Sequence, residues 1–277
     1  MSIDKSLEKV LKNLKDNYEN AIKIGGRKKY TSLIRSQGLI NLFHEYLKHK
    51  LMESGVASSK IYPEPGKSRP EIKMSGMLKQ KNQDICVLPS KPTKKEIIQE
   101  GWQQLVKVKD NIGLELTKKS ISINVRSQLS SLAKNFDTLY ERTFAEALNL
   151  HLRVPKLIMG ELYVVPLQAY DPDKAKNYEI SFKEKLPLKY IPAFDFINRR
   201  SSENDEPYKY EKVALMIIDF RNNPPSIVES LNVFRKEGYE ISPLLKNDAL
   251  VNLSIRTFIS DLLEIYEKRH GSLDPIF

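Results

Sequence analysis

Cysteine is almost absent from this chain: Cys86 is the single one in 277 residues. A disulfide framework and a cysteine-based zinc site are both excluded. No apolar run approaches the ~20 residues a helix needs to cross a bilayer. Residues 1–21 alternate charge where a signal peptide carries an apolar core. The expectation is a soluble protein of a reducing cytoplasm with no membrane partner. No Gly-rich phosphate loop or dinucleotide fingerprint is present, so no nucleotide cofactor is expected. His44, His49, His151 and His270 show no metal-ligand spacing, and no Ser/His/Asp grouping stands out. Trp102 is the one tryptophan. Aromatic residues are not interleaved with the basic clusters, which argues against a single-strand stacking platform. There is no internal repeat.

Positive charge is what the chain has in excess. It carries 45 Lys and Arg against 35 Asp and Glu, a formal charge of +10. That excess points to a polyanionic partner, nucleic acid first and a membrane surface second. An apolar content of 40% suffices for a sizeable core in one large domain or two smaller ones.

Periodicity predicts an amphipathic helix over 4–23, a break at Gly25-Gly26 in a small basic loop, and a second helix over 31–53. The proline-rich 62–70 is a loop. Ile72–Leu78 and Asp84–Leu88 read as two strands joined by a basic KQKNQ turn, with a helix over 93–109 after them. Leu157–Leu167 and Val213–Phe220 are apolar on both faces, as buried central strands are. The charged stretch 198–211 reads as a mobile loop, and helices are expected near 226–237 and 248–269. This order predicts an α/β fold with a mixed central sheet flanked by helices. A helical N-terminal region over 1–60 precedes an α/β domain over 61–277, or the two form one continuous domain.

The stretch 120–152 is the most informative. Ile121, Ile123 and Val125 alternate as a strand does, and a long amphipathic helix follows. Asn124, Arg126, Ser127 and Gln128 crowd the switch between them. On the helix, Lys134, Asp137 and Glu141 share one flank, at the edge of an apolar stripe through Phe136, Tyr140, Phe144 and Leu148. Spacing alone favours a solvated flank there. Arg142 and Glu146 form an i, i+4 pair suited to a structural role or to a DNA-reading surface. Asp84 heads its strand directly after Lys79 and Lys81. A carboxylate so placed can hold Mg²⁺ while the lysines meet phosphate oxygens, or it can be a turn aspartate paired with those lysines. Arg126 and Gln128 can read base edges, cap the strand or hold a phosphate. Glu161 and Asp219 interrupt apolar strands and read as members of structural ion pairs.

Strand-borne Asp84, the strand ISINVRSQ, the charged helix after it and the buried strand beyond resemble the PD-(D/E)XK nuclease core over roughly residues 70–220. Within that superfamily NVRSQLSSLAKNFDTLYERTFAEALNLH looks like type II restriction endonucleases. The resemblance implies a restriction-endonuclease-like core and Mg²⁺-dependent cleavage of double-stranded DNA by a homodimer. It implies Asp84 as the strand aspartate. The second element departs from the pattern, since Asn124-Val125-Arg126 stands where an acid-x-Lys is expected. A glutamate from the following helix then supplies the missing ligand, Glu141 with Glu146 as the alternative, and Lys134 is the fallback for the lysine. Arg126 can stabilise charge but cannot act as a base. DNA contacts are expected from Lys79, Lys81, Asn124, Gln128, Arg142, Arg199 and Arg200. A non-catalytic DNA-binding or regulatory protein, or an RNA-processing nuclease, would share the same basic surface.

Overall fold

A computed structural model describes residues 4–36, 38–93, 95–246 and 248–277. Its centre is a six-stranded sheet whose spatial order follows chain order: β1 (Ile61–Tyr62), β2 (Ile85–Val87), β3 (Ile121–Ser127), β4 (Ile158–Pro166), β5 (Lys212–Asp219) and β6 (Ser226–Ile227). β1 pairs antiparallel with β2 and β2 antiparallel with β3, while β3, β4 and β5 run parallel and β6 returns antiparallel. A parallel pair needs a crossover. The helix α3 (Leu132–His151) supplies it between β3 and β4. The protein is therefore α/β with a mixed central sheet flanked by helices.

The N-terminal helices α1 (Lys5–Arg35) and α2 (Ile40–Glu53) and the C-terminal α4 (Phe258–His270) cover one face of the sheet. Leu11, Tyr18, Phe43, Leu47, Phe258 and Leu262 pack there with Ile123, Leu162 and Met216. On the other face Leu132, Phe136, Ala147 and Leu150 of α3 share a second core with Met159, Tyr163, Leu215 and Ile217. Strand β4 is buried at every position because its alternating side chains enter the two cores in turn. α1 starts on a cap, with the Asp4 carboxylate accepting from the Ser6 N–H at 2.9 Å. Among the described residues, no helix is long and apolar enough to cross a membrane.

Several expected elements take another form. α1 does not end at Gly25-Gly26 but runs through it with a kink at Gly26, φ 55° and ψ −151°. A Cβ at Gly26 would lie 2.9 Å from the Ala175 carbonyl oxygen, so close approach and left-handed backbone both require glycine. The KQKNQ segment is strand rather than turn, since Gln80–Gln83 pairs with Ile72–Ser75. The expected helix over 93–109 is a two-stranded ribbon, Glu96–Ile97 with Lys109–Asp110, enclosing a short helix at Gly101–Leu105. Residues 198–211, read as a mobile loop, are pinned by Arg200 and Tyr210, both fully buried. Local polarity misleads there because one buried arginine anchors the whole loop. Near the C-terminus the helices are shorter than expected, at Leu231–Lys236, Ala249–Asn252 and α4.

Gly160 tests the tightness of the α4 contact. A Cβ there would lie 2.8 Å from both Leu262 Cδ1 and Phe258 Cζ. We expect Gly160→Ala to destabilise the fold by ~1–3 kcal/mol, the usual cost of overpacking. Urea unfolding reads this directly, and an unchanged midpoint would show that α4 gives way freely.

Candidate active site

The pairing of Ile85 with Ile123 places Asp84, at the entry to β2, beside the end of β3. There its Oδ2 accepts from the Val125 N–H at 2.8 Å. Strand alternation sends Ile121, Ile123 and Val125 into the α1/α2 core, and Ser122, Asn124 and Arg126 to the side that α3 covers. Arg126 becomes the centre of a charged cluster. Its guanidinium donates to Thr143 Oγ1 at 2.9 Å and to the Glu146 carboxylate. Its Nε lies 3.2 Å from Glu161 Oε1. Lys81 Nζ approaches Glu146 Oε2 at 3.2 Å from the hairpin edge. Gln83 Oε1 accepts from Ser122 Oγ at 2.6 Å and so orders the floor. Tyr210 closes one wall, its hydroxyl donating to the Thr143 carbonyl at 2.8 Å.

Asn124 and Glu161 are register partners on β3 and β4. The Asn124 Nδ2 and both Glu161 carboxylate oxygens are buried without a hydrogen bond among the described residues. A buried polar atom left unpaired costs ~1–3 kcal/mol. Such groups mark sites where something besides fold stability is served.

The electrostatics agree. Burial pushes the Glu161 carboxyl up to about 8, with Glu146 and Asp84 adding to the rise and Arg126 opposing it. Burial raises Asp84 to about 6, against the lowering effects of the Val125 N–H and of Arg126. For Arg126 burial works against the charge, but Glu161, Tyr210, Glu146 and Asp84 together keep its pKa raised. It stays a cation.

The Glu161 shift fixes the sign of a pH effect. Its folded value of about 8 stands above the ordinary 4.5. The folded state therefore holds the proton more tightly, and stability falls as pH rises across that window. In metal-free buffer, Glu161→Gln should gain melting temperature relative to the parent between pH 5 and pH 8.5 (chosen to bracket the window). An equal offset at both pH values would contradict the burial argument.

Other expected residues lie elsewhere. Lys134, Glu141 and Arg142 are exposed on α3. Asp137 pairs with Lys189 at 3.0 Å rather than with Lys134. Glu146 pairs with Arg126 and Lys81 rather than with Arg142. The buried face of α3 runs through Leu132, Phe136, Thr143, Glu146 and Ala147. Tyr140 and Phe144 of the expected stripe pack against the same core at its edge, half-buried.

Three of the expected DNA contacts are corrected by burial: Asn124, at 3% exposure, Gln128 and Arg200. Gln128 is enclosed, accepting from the Tyr163 and Tyr190 hydroxyls and donating to the carbonyls of Ser131 and Leu132. Arg200, at 1% exposure, donates to Glu211 and to the Pro155 and Glu203 carbonyls. Arg199 is exposed and pairs with Asp195 at 3.2 Å. Lys79 is exposed and Lys81 half-buried. Glu161, read as a structural ion-pair member, does pair with Arg126, and it is also the deepest carboxylate of the cluster. A sequence signal existed for it, an acid in a nine-residue strand otherwise free of charge.

Comparison with protein-family models, with curated proteins and with solved structures finds no match for this chain. The function therefore rests on the cluster.

The Mg²⁺ that the resemblance implies can be tested against the donors. The carboxylates of Asp84 and Glu161 and the Asn124 amide oxygen are hard donors of the kind Mg²⁺ takes. The positions fit less well. Among the described residues no three of His, Cys, Asp and Glu are grouped so as to hold a metal ion. Arg126 is paired with two of the three carboxylates. Asp84 and Glu161 offer oxygen donors of the right chemistry, but they belong to no grouped metal site among the described residues.

Proposed function

We propose that this protein is a Mg²⁺-dependent endonuclease of double-stranded DNA, of the restriction-endonuclease kind, acting as a homodimer in a bacterial or archaeal cytoplasm. The observation that carries the reading is the cluster of Asp84, Glu146 and Glu161 around Arg126, in which the buried Glu161 carboxylate has an ion pair with Arg126 but no hydrogen bond among the described residues. Three carboxylates gathered on one arginine beneath a lysine-bearing hairpin make a poor stability device. Breaking such a pair is costly, but having it adds little over an apolar core.

Asp84 and Glu161 would hold the metal. The chemistry it would supply there is Lewis-acid activation of a phosphate oxygen and of a water nucleophile. The chain's own residues do the rest. Arg126 keeps its charge and stabilises developing negative charge on a phosphoryl oxygen. It cannot accept a proton. Glu146 and Thr143 hold the guanidinium in place. Lys81, at the rim, draws the backbone in, and Lys79 with the overall positive charge adds sequence-independent affinity.

The test is incubation with phage DNA and Mg²⁺, read on a gel. Discrete fragments abolished by EDTA are expected. A smear would replace site-specific cleavage with a general nuclease. Intact DNA that shifts on a native gel would leave a DNA-binding protein without catalysis.

A further inference from the structure

A cavity of about 770 Å³ opens between α1, the head of α3 and the hairpin Gln168–Tyr170/Phe182–Lys185. Its volume lies in the range of small-molecule sites, ~300–1,000 Å³. Arg27 and Arg35 of α1 and Lys183 of the hairpin line it, with Thr31, Ser130 and Asn135 between them. Arg35 has no carboxylate partner among the described residues. Arg27 has only a loose contact with Asp173, at 3.9 Å, and Lys183 meets the same Asp173 at 3.3 Å. One carboxylate is thus shared by two of the three cations. The acidic side chain within the wall, Glu184, is already engaged, accepting from the Ala133 N–H at 3.0 Å.

The inner wall is aromatic. Tyr30 and Tyr170 both line the cavity, their rings edge to face with centroids 5.8 Å apart. The Tyr30 hydroxyl is buried and has no hydrogen-bond partner, on a residue only 2% exposed. An unpaired buried hydroxyl in a cation-rimmed cavity calls for a polar ligand.

We propose that this cavity is a nucleotide site, with a phosphate ester held by Arg35 and Arg27 and the base against the Tyr30–Tyr170 wall. Arginine suits the planar, bidentate recognition of phosphate. The site is separate from the Asp84 cluster yet close along the chain. Ser130 follows Arg126 by four residues, a span of at most ~14 Å, so one DNA strand can reach both. The phosphate ester can come from such a strand or from a free mononucleotide. The strand source rests on the endonuclease reading, and the mononucleotide source does not.

Titration calorimetry in EDTA separates them, with dAMP, inorganic phosphate and a short duplex as probes. Wild-type protein should bind dAMP more tightly than inorganic phosphate. The Arg27→Ala/Arg35→Ala double variant should weaken dAMP at least tenfold, on exposed helix positions that do not threaten folding. Tyr30→Phe should weaken dAMP severalfold without lowering the melting temperature, because the hydroxyl it removes is unpaired in the free protein. Asp84→Asn should leave dAMP binding unchanged. If the double variant also weakens the duplex, the ligand is a DNA strand. If the duplex is unaffected, it is a free nucleotide. Absent dAMP binding, or dAMP binding indifferent to the double variant, overturns the proposal and leaves Mg²⁺-dependent cleavage to stand or fall on Asp84.

Discussion

Asp84→Asn and Glu161→Gln should each lower Mg²⁺-dependent DNA cleavage by about a thousandfold, while Lys134→Ala and Glu141→Gln should leave it within about twofold. A held metal contributes several kcal/mol to the transition state, and a loss of ~4 kcal/mol is about three orders of magnitude in rate. Both neutral substitutions keep size and shape. Asn at 84 can still accept from Val125, so the strand entry is preserved. Arg126→Lys should fall between the extremes. It keeps a charge but not the fork that meets Thr143, Glu146 and Glu161 together. The control pair carries the discrimination. Lys134 and Glu141 are the residues that the family resemblance nominates, and the structure leaves both in solvent. Activity lost in Glu141→Gln and retained in Glu161→Gln would sink the Arg126-centred site. The readout is the initial cleavage rate at saturating Mg²⁺, with native-gel binding as the check that DNA affinity survives.

Glu211→Gln should be the most damaging single change to stability. Glu211 is fully buried. It accepts from Arg200 Nη1 at 2.8 Å, Arg269 Nη1 at 2.6 Å and the Met159 N–H at 2.7 Å, with His151 Nε2 at 3.3 Å. Burial alone would raise its pKa, but His151, Arg269 and Arg200 prevail and bring it down to about 2. Neutralising it strands two buried guanidinium groups. Breaking a buried pair in this way costs ~3–5 kcal/mol, or roughly 6–20 °C in melting temperature at the ~2–4 °C per kcal/mol of a domain near this size. The linkage sign follows from the depressed value. The contribution is present above the ordinary 4.5 and is lost as pH falls toward 2. The gap between parent and variant should therefore narrow on acidification. A melting temperature within 2 °C of the parent at neutral pH (under about 1 kcal/mol on the same scale) would show that the arginines find other partners.

Much of the architecture was legible in the residues. The doubly apolar runs at 157–167 and 213–220 announced central strands because burial on both faces leaves no polar alternation. The strand–helix switch at 121–151 was legible because the apolar period changes from two to that of a helix. Asp84 stood out as a strand-entry acid beside lysines, and the structure places it at the rim of the charged cluster. The misread elements share a cause. KQKNQ pairs as a strand through backbone hydrogen bonds, which side-chain polarity does not report. The 198–211 loop is held by Arg200 and Tyr210, whose partners lie 45 and 67 residues away along the chain.

Composition and periodicity determined the α/β class, the basic surface and the absence of cysteine chemistry, because those depend on local pattern and summed charge. Only the tertiary structure decided which acids meet. Glu146 joins Arg126 because α3 packs with Thr143 toward the sheet. Glu161 joins it because parallel pairing of β3 and β4 sets it beside Asn124. Arg35 and Tyr30 reach a common cavity because α1 kinks at Gly26 and lies against a hairpin ~140 residues later, as close packing of distant segments allows. Each of these is a contact at long separation. Its position is set by register and helix rotation, and a one-residue slip would turn the same side chains to the opposite face.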